Sequence, residues 1–328
     1  MKRILGIGNA LVDILTLLEG DYILQEFNLP KGSMQLVDKE KSEGIKNATR
    51  FLPRKLSSGG SAANTIHGLA MLGADTGFIG SIGRDETGDF FENDMKRAGV
   101  NTILIRRNSV TGTAIALISA DTERTFATHL GAAIELRACD LKPILFEGYD
   151  ILYLEGYLIN DFQFVETACR YAREKGMQIA LDLASYNVVE AHLNSFKNIV
   201  KDYVDILFAN EQETREFTGL EPEKALPELA KLCEMVILKT GSEGSWIKRG
   251  DETVRIRAIP VKCVDTTGAG DLYASGFLYG LSTGSSLEVC GTIGSLMAGK
   301  VIEIVGARMD MDKFHEIKTE IAFLAGNK

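Results

Sequence analysis

The chain has 328 residues, 45% of them hydrophobic and 25% charged, with a formal net charge of −9. That is ordinary globular composition, long enough for a substantial core in one large α/β unit or two smaller ones. The acidic balance argues against a general nucleic-acid or anionic-membrane binder, and no apolar run approaches the length of a membrane span.

Ile4 to Gly8 reads as a short buried strand rather than a signal sequence. Its Gly6-x-Gly8 pair invites a dinucleotide-binding reading, but the third glycine position holds Leu11 and no helix opens there. Asn9 and Asp13 follow the strand, at the kind of strand end where open α/β sheets bind ligands. The Asp13 carboxylate could accept two hydrogen bonds from a vicinal diol, or simply end the strand. Leu29 to Val37 reads as a turn and a strand, and Asp38 to Phe51 as a helix with Asp38 as its N-cap.

The run Ser57-Ser58-Gly59-Gly60-Ser61-Ala62-Ala63-Asn64 then opens a helix through Leu72. Gly59 and Gly60 allow close backbone approach, and Asn64 can read a hydroxyl as donor and as acceptor. Gly59-x-Ser61-x-Ala63 approximates a nucleophile elbow, but no triad histidine accompanies it.

Thr76 to Ile82 is a strand and Asp89 to Ala98 an amphipathic helix. Asn101 to Arg107 and Thr113 to Ser119 alternate like the arms of an antiparallel hairpin, with Arg124 to Thr128 returning as a third strand of a small accessory sheet. From Asp150 onward strands and helices alternate: strands at Ile151–Leu154, Gln178–Asp182, Ile206–Ala209 and Met235–Lys239, with helices between them. That rhythm predicts a parallel sheet covered on both faces. The five cysteines (Cys139, Cys169, Cys233, Cys263, Cys290) form no CxxC pair, which predicts reduced thiols in a cytoplasmic protein.

The richest stretch is Val264-Asp265-Thr266-Thr267-Gly268-Ala269-Gly270-Asp271, which leads into an apolar helix. Gly268, Ala269 and Gly270 let the backbone turn tightly at a helix start, where N–H groups lack partners and the dipole is positive. Such a turn can be an anion hole, and Asp271 at its rim can be a base; an acidic residue in a helix's first turn is also common for dipole reasons alone. Asn210-Glu211-Gln212-Glu213 follows a strand and reads either as a helix-capping box or as a phosphate-facing pair holding hydrated magnesium. Lys239-Thr240-Gly241-Ser242-Glu243-Gly244 is a plain turn or a nucleotide loop at the next strand end. No Walker A sequence occurs, and the histidines show no metal-ligand spacing.

Taken together, the Gly59-Gly60…Asn64 and Gly268-Ala269-Gly270-Asp271 stretches, about 200 residues apart and in the right order, resemble the two signatures of the ribokinase-like (PfkB) family of carbohydrate and nucleoside kinases. The Gly8-to-Asp13 start, Lys31-Gly32-Ser33-Met34 and Leu130-Gly131-Ala132-Ala133 are similar to adenosine kinase-like members. The resemblance implies a three-layer α/β/α sandwich with a central, mostly parallel sheet. It also implies a β-sheet lid, here from about residues 16–37 and 102–127 of a single domain spanning 1–328. It implies ATP and Mg2+ as cofactors and a primary hydroxyl of a nucleoside or sugar as phosphate acceptor. Asp271 would be the catalytic base, assisted by Gly268, Ala269 and Gly270. Asn9, Asp13, Gly59, Gly60, Asn64 and Arg124 would serve the substrate, with Arg124 near the transferred phosphate. Asn210, Thr240, Gly241 and Gly244 would serve the nucleotide, and Glu213 the metal through water. His129 stands where such members are expected to carry asparagine. The expected assembly is a monomer or a homodimer formed through the lid. The competing expectations are a free-sugar kinase and a ligand-binding regulator without turnover.

Overall fold

The computed structural model describes residues 1–121 and 123–326; residue 122, inside the expected second lid segment, and residues 327–328 lie outside the described residues. The strands in chain order are β1 (Ile4–Ile7), β2 (Leu11–Leu17), β3 (Met34–Leu36), β4 (Arg54–Gly59), β5 (Thr76–Gly83), β6 (Asn101–Arg107) and β7 (Gly112–Ile118). They continue with β8 (Arg124–His129), β9 (Ile151–Glu155), β10 (Gln178–Asp182), β11 (Ile206–Asn210), β12 (Met235–Lys239), β13 (Ser245–Arg249) and β14 (Glu252–Ile256).

Nine strands form one sheet in the order β14-β13-β12-β11-β10-β9-β1-β5-β6. All neighbours from β12 to β6 run parallel, and β13 and β14 add an antiparallel edge. Every residue of β9 is buried, so its side chains must serve two apolar layers. Ile151 and Tyr153 pack on one side, with Ile66, Phe208, Ala274 and Phe277. Leu152 and Leu154 pack on the other, with Phe164, Ala168, Phe196 and Ile199. Period-two alternation between two covered faces produces the three-layer arrangement.

The helices Ser61–Leu72 and Ala269–Ser282 lie together on the first face. Their seam is lined by small residues: a Cβ placed on Gly68 would come within 2.5 Å of Ser275 Oγ and 2.8 Å of Leu272 Cδ1. The close approach fixes how far these two helices stand apart.

A second, five-stranded sheet has the order β3-β8-β7-β2-β4. Its strands differ from those expected of a small accessory sheet. Residues 101–107 do not pair with 113–119; β6 runs parallel to β5 at the edge of the large sheet, with Ile103 opposite Ile79. Its residues are half-exposed because it has a neighbour on one side only, as in the half-exposed arm of a hairpin. The small sheet instead recruits β2, which overlaps the first expected segment only at Thr16 and Leu17, and β4 from 54–59, which lay outside both. Asp13 therefore sits within β2, opposite Ser57, rather than in a loop after β1. Among the described residues no helix is long and apolar enough to cross a membrane.

Candidate active site

The parallel strands end on one edge of the large sheet, and their last residues carry most of the site. Glu155 ends β9, Asp182 ends β10, Asn210 ends β11 and Lys239 ends β12. Register places Asp182 beside Glu155 and Asn210 beside Lys239. Strand ends at this edge leave room that helix starts then close over, the usual ligand position of open α/β sheets.

A cleft of about 710 Å³ opens there, lined by Asp13, Gly60, Asn64, Glu213, Gly268 and Asp271 among others. Asp271 is the third residue of the Ala269–Ser282 helix. Its Oδ1 accepts from Ser61 Oγ at 2.7 Å and its Oδ2 from Asn64 Nδ2 at 2.9 Å. Burial raises its pKa to about 6, against the two hydrogen bonds that lower it. The structure thus joins the Gly59–Asn64 and Val264–Asp271 stretches directly. Asn64 Oδ1 is buried with no protein partner, leaving it free to accept from a bound hydroxyl.

The turn before Asp271 has Gly268 at φ +75°, a conformation that suits glycine, and a Cβ there would crowd Ala307 at 2.5 Å. Among the described residues, the N–H groups of Gly268 and Gly270 have no protein acceptor, whereas that of Ala269 is bonded to Thr266 O at 3.2 Å. The expected three-donor hole thus has its middle donor engaged in closing the turn. Asp265 supports the turn from behind, accepting from Thr267 N at 2.8 Å and from Gly306 N at 2.6 Å.

On the opposite wall the glycine pair has a double purpose. A side chain at Gly59 would collide with the Asp13 carboxylate, and one at Gly60, held at φ +97°, would collide with the Asn9 carbonyl. Asp13 faces the cleft with its pKa raised to about 7 by burial, offset in part by the Arg308 charge. Asn9 donates from its backbone N at 2.9 Å and from Nδ2 at 2.6 Å to Glu155 Oε1, while Ala62 N donates to Oε2 at 2.7 Å. Glu155 therefore clamps β1 to the start of the Ser61–Leu72 helix.

The Asn210–Glu213 pair forms a reciprocal capping box: Asn210 Oδ1 accepts from Glu213 N at 2.9 Å, and both Glu213 oxygens accept from Asn210. Glu213 is buried, and burial raises its pKa to about 7 despite the nearby Lys239 charge. Gly241 and Gly244 line the cleft at positive φ. Thr240 is buried behind them, its N bonded to Gly244 O at 2.8 Å and its Oγ1 without a partner. Arg124 does not line the cleft; it forms an ion pair with Asp265 and so ties β8 to the glycine turn. His129 contacts Val37 O through Nδ1 at 3.2 Å, and His67 is packed in the core, where burial keeps its pKa well below the usual value.

Sequence reasoning missed Glu155, Asp182, Lys239 and Ser61. Lys239 Nζ donates to Asp182 Oδ2 at 2.7 Å, both side chains being nearly buried. The hydroxyl of Ser61 could have been suspected from its place between Gly60 and Asn64, whereas the others are lone residues at strand ends.

A second cavity of about 820 Å³ adjoins the first, sharing Gly60, Ser61 and Tyr157 with it. Its walls are largely apolar, from Leu36, Leu130, Ile134, Leu158, Phe162 and Val188.

A buried carboxylate beside a helix start with free N–H groups, with further carboxylates and glycine loops along one sheet edge, is the arrangement a phosphotransferase site requires. Residues 33–313 match the family model described as pfkB family carbohydrate kinase. An uncharacterized sugar kinase of Archaeoglobus fulgidus is 32% identical over 74% of this chain and 96% of its own. The adenosine kinase of Saccharomyces cerevisiae is 26% identical over 94% of this chain and 96% of its own. Among solved structures, a probable sugar kinase from Rhizobium etli superposes with a TM-score of 0.87 at 34% identity, covering 99% of this chain and 98% of that one. The adenosine kinase from Sinorhizobium meliloti does so with a TM-score of 0.87 at 34% identity, covering 97% of this chain and 99% of that one. The chain belongs to the pfkB family of carbohydrate kinases. It is an ATP-dependent phosphotransferase acting on a hydroxyl group.

Proposed function

We propose that the chain transfers the γ-phosphate of ATP to the primary hydroxyl of a nucleoside, an adenosine-like one being favoured. The observation that carries this reading is the apolar cavity of about 820 Å³ opening onto the Asp271 cleft across Gly60 and Ser61. A nucleoside needs an apolar slot for its base next to polar groups for its sugar; a free sugar needs only the latter. Leu36, Ile134 and Val188 supply the first, and Asp13, Asn64 and Asn9 the second.

In this mechanism Asp13 and Asn64 hold the ring hydroxyls, with Gly59 and Gly60 keeping space for the Asp13 carboxylate and the chain beside it. Asp271 takes the proton of the attacking hydroxyl. The N–H groups of Gly268 and Gly270 face the charge that develops on the phosphoryl oxygens, Ala269 completing the turn that aims them. Asn210, Thr240, Gly241 and Gly244 border the nucleotide. Glu213 is the residue that would hold magnesium, through water. Its carboxylate is already oriented by Asn210, and an ion that keeps several waters needs one or two protein oxygens. Magnesium would neutralise phosphate charge at that wall.

Screening adenosine, other nucleosides, ribose, fructose and sugar phosphates with ATP and magnesium tests the reading. Nucleoside-dependent release of ADP is the expected result. Turnover on free sugars but on no nucleoside would replace it with the sugar-kinase reading, towards which the sugar-kinase relatives point. Ligand binding with no release of ADP on any acceptor would favour a regulator.

A further inference from the structure

We propose that the Lys239 ammonium contacts the transferred phosphoryl group, working with the free N–H groups of the glycine turn. The proposal rests on the reading of the cleft as the seat of phosphoryl transfer from ATP. Lys239 ends β12 and lines the cleft. Its Nζ lies against the turn: a Cβ built on Gly270 would be 3.2 Å from it. The ammonium is therefore beside the backbone donors that await an anion.

The charges around it point the same way. Asp13, Asp182, Glu213 and Asp271 all line this cleft, an arrangement that would repel a triphosphate. Among the described residues two cationic side chains line it, Lys239 and Arg215. Arg215 is exposed and held by Glu221, with Nε at 2.9 Å from Oε2 and Nη2 at 2.8 Å. Lys239 is the cation at the floor. Burial works against its charge, but Asp182 and Glu213 hold its pKa above the usual value, so it stays protonated at neutral pH.

During transfer the acceptor oxygen forms a bond to the γ-phosphorus, and its proton passes to Asp271. The bond from that phosphorus to the β,γ-bridging oxygen breaks, its electron pair leaving with ADP. Lys239 makes and breaks no covalent bond. It turns from Asp182 towards the non-bridging oxygens and opposes their charge, a kind of contribution that typically amounts to about 100- to 1,000-fold in rate.

The alternative is that Lys239 only neutralises Asp182 and Glu213. Four full-length variants separate the two: Lys239→Gln, Lys239→Arg, Asp182→Asn and the double variant Lys239→Gln/Asp182→Asn. For Lys239→Gln the expected result is a fall in kcat of about 100-fold or more with the acceptor KM nearly unchanged. Calorimetry with magnesium should find affinity for ATP reduced about tenfold or more and that for ADP little changed, because only ATP carries the γ-phosphate. Lys239→Arg should recover part of the rate. Wild-type kcat in the double variant, or equal losses for ATP and ADP, would overturn the proposal. The double variant removes both members of the Lys239–Asp182 pair and so strands neither, which keeps the test alive if Lys239→Gln fails to fold. Absence of ATP turnover by the wild-type chain on every acceptor is instead a failure of the kinase reading, seen before any variant is made. The difference between ATP and ADP binding still decides the lysine in that case.

Discussion

Asp271 is held on both oxygens by neutral donors from a helix that begins 210 residues earlier in the chain. Two neutral donors orient a carboxylate without pairing it to a formal charge, so it keeps basicity for a proton. Asp271→Asn preserves shape and can still accept from Ser61, so it should fold with an unchanged melting temperature. Its kcat should fall by about 100- to 10,000-fold, measured by ADP release. In the proposed role Asp271 must be deprotonated to act, and its pKa is raised to about 6, with that of Asp13 raised to about 7. Activity should therefore reach its full value about a unit above pH 7 and decline as pH falls through 7 and then 6. A kcat/KM profile flat down to pH 5 would contradict both assignments. The meeting of Asp271 with the Gly60–Asn64 stretch was legible because small residues and a carboxylate at fixed spacing mark helix starts that can approach each other closely. Glu155, Asp182 and Lys239 were not. Each is a single residue at a strand end, and only sheet register makes neighbours of residues as far apart as 182 and 239.

At the scale of elements, the two glycine-opened helices place the chemistry. Gly60 precedes the Ser61–Leu72 helix at φ +97°, and a methyl group there would meet the Asn9 carbonyl. Gly60→Ala adds backbone strain of about 1–3 kcal/mol and the displacement of β1's end. Urea unfolding should register the stability loss, and the acceptor KM should rise more than kcat falls. The alternating strands and helices after residue 150 were readable from apolar period and spacing, and β12 and the Glu211–Thr218 helix fall where periodicity puts them. β6 misled because an edge strand of a parallel sheet leaves one flank open, and its burial pattern then matches that of a solvent-facing hairpin. The short strand β4 escaped notice because Arg54 and Lys55 are exposed at its start while its buried end is serine and glycine.

For the molecule as a whole, residues of both sheets line one cleft, and side-chain contacts tie them to its turns. The Arg124–Asp265 ion pair is one, joining β8 of the small sheet to the turn that precedes Asp271. The side chains are 13% and 2% exposed, so removing the arginine strands a buried carboxylate. Arg124→Ala should lower stability by about 2–3 kcal/mol by chemical denaturation. This lies below the usual cost of breaking a buried pair because Thr267 and Gly306 still donate to Asp265. The same variant should lower kcat as the small sheet loses its register on the turn, and Arg124→Lys should restore part of both. The coupling was invisible in the sequence, where Arg124 reads as a solitary charge.

The two cavities have Gly60, Ser61 and Tyr157 in common and otherwise separate walls. Leu36, Ile134 and Val188 can therefore be changed without touching the carboxylates and glycine loops of the other cavity. Swapping those three residues for polar ones should retarget the enzyme towards smaller, more hydrophilic alcohols while its chemistry runs unaltered. A scaffold partitioned in this way can diversify its menu of acceptors without reinventing its engine.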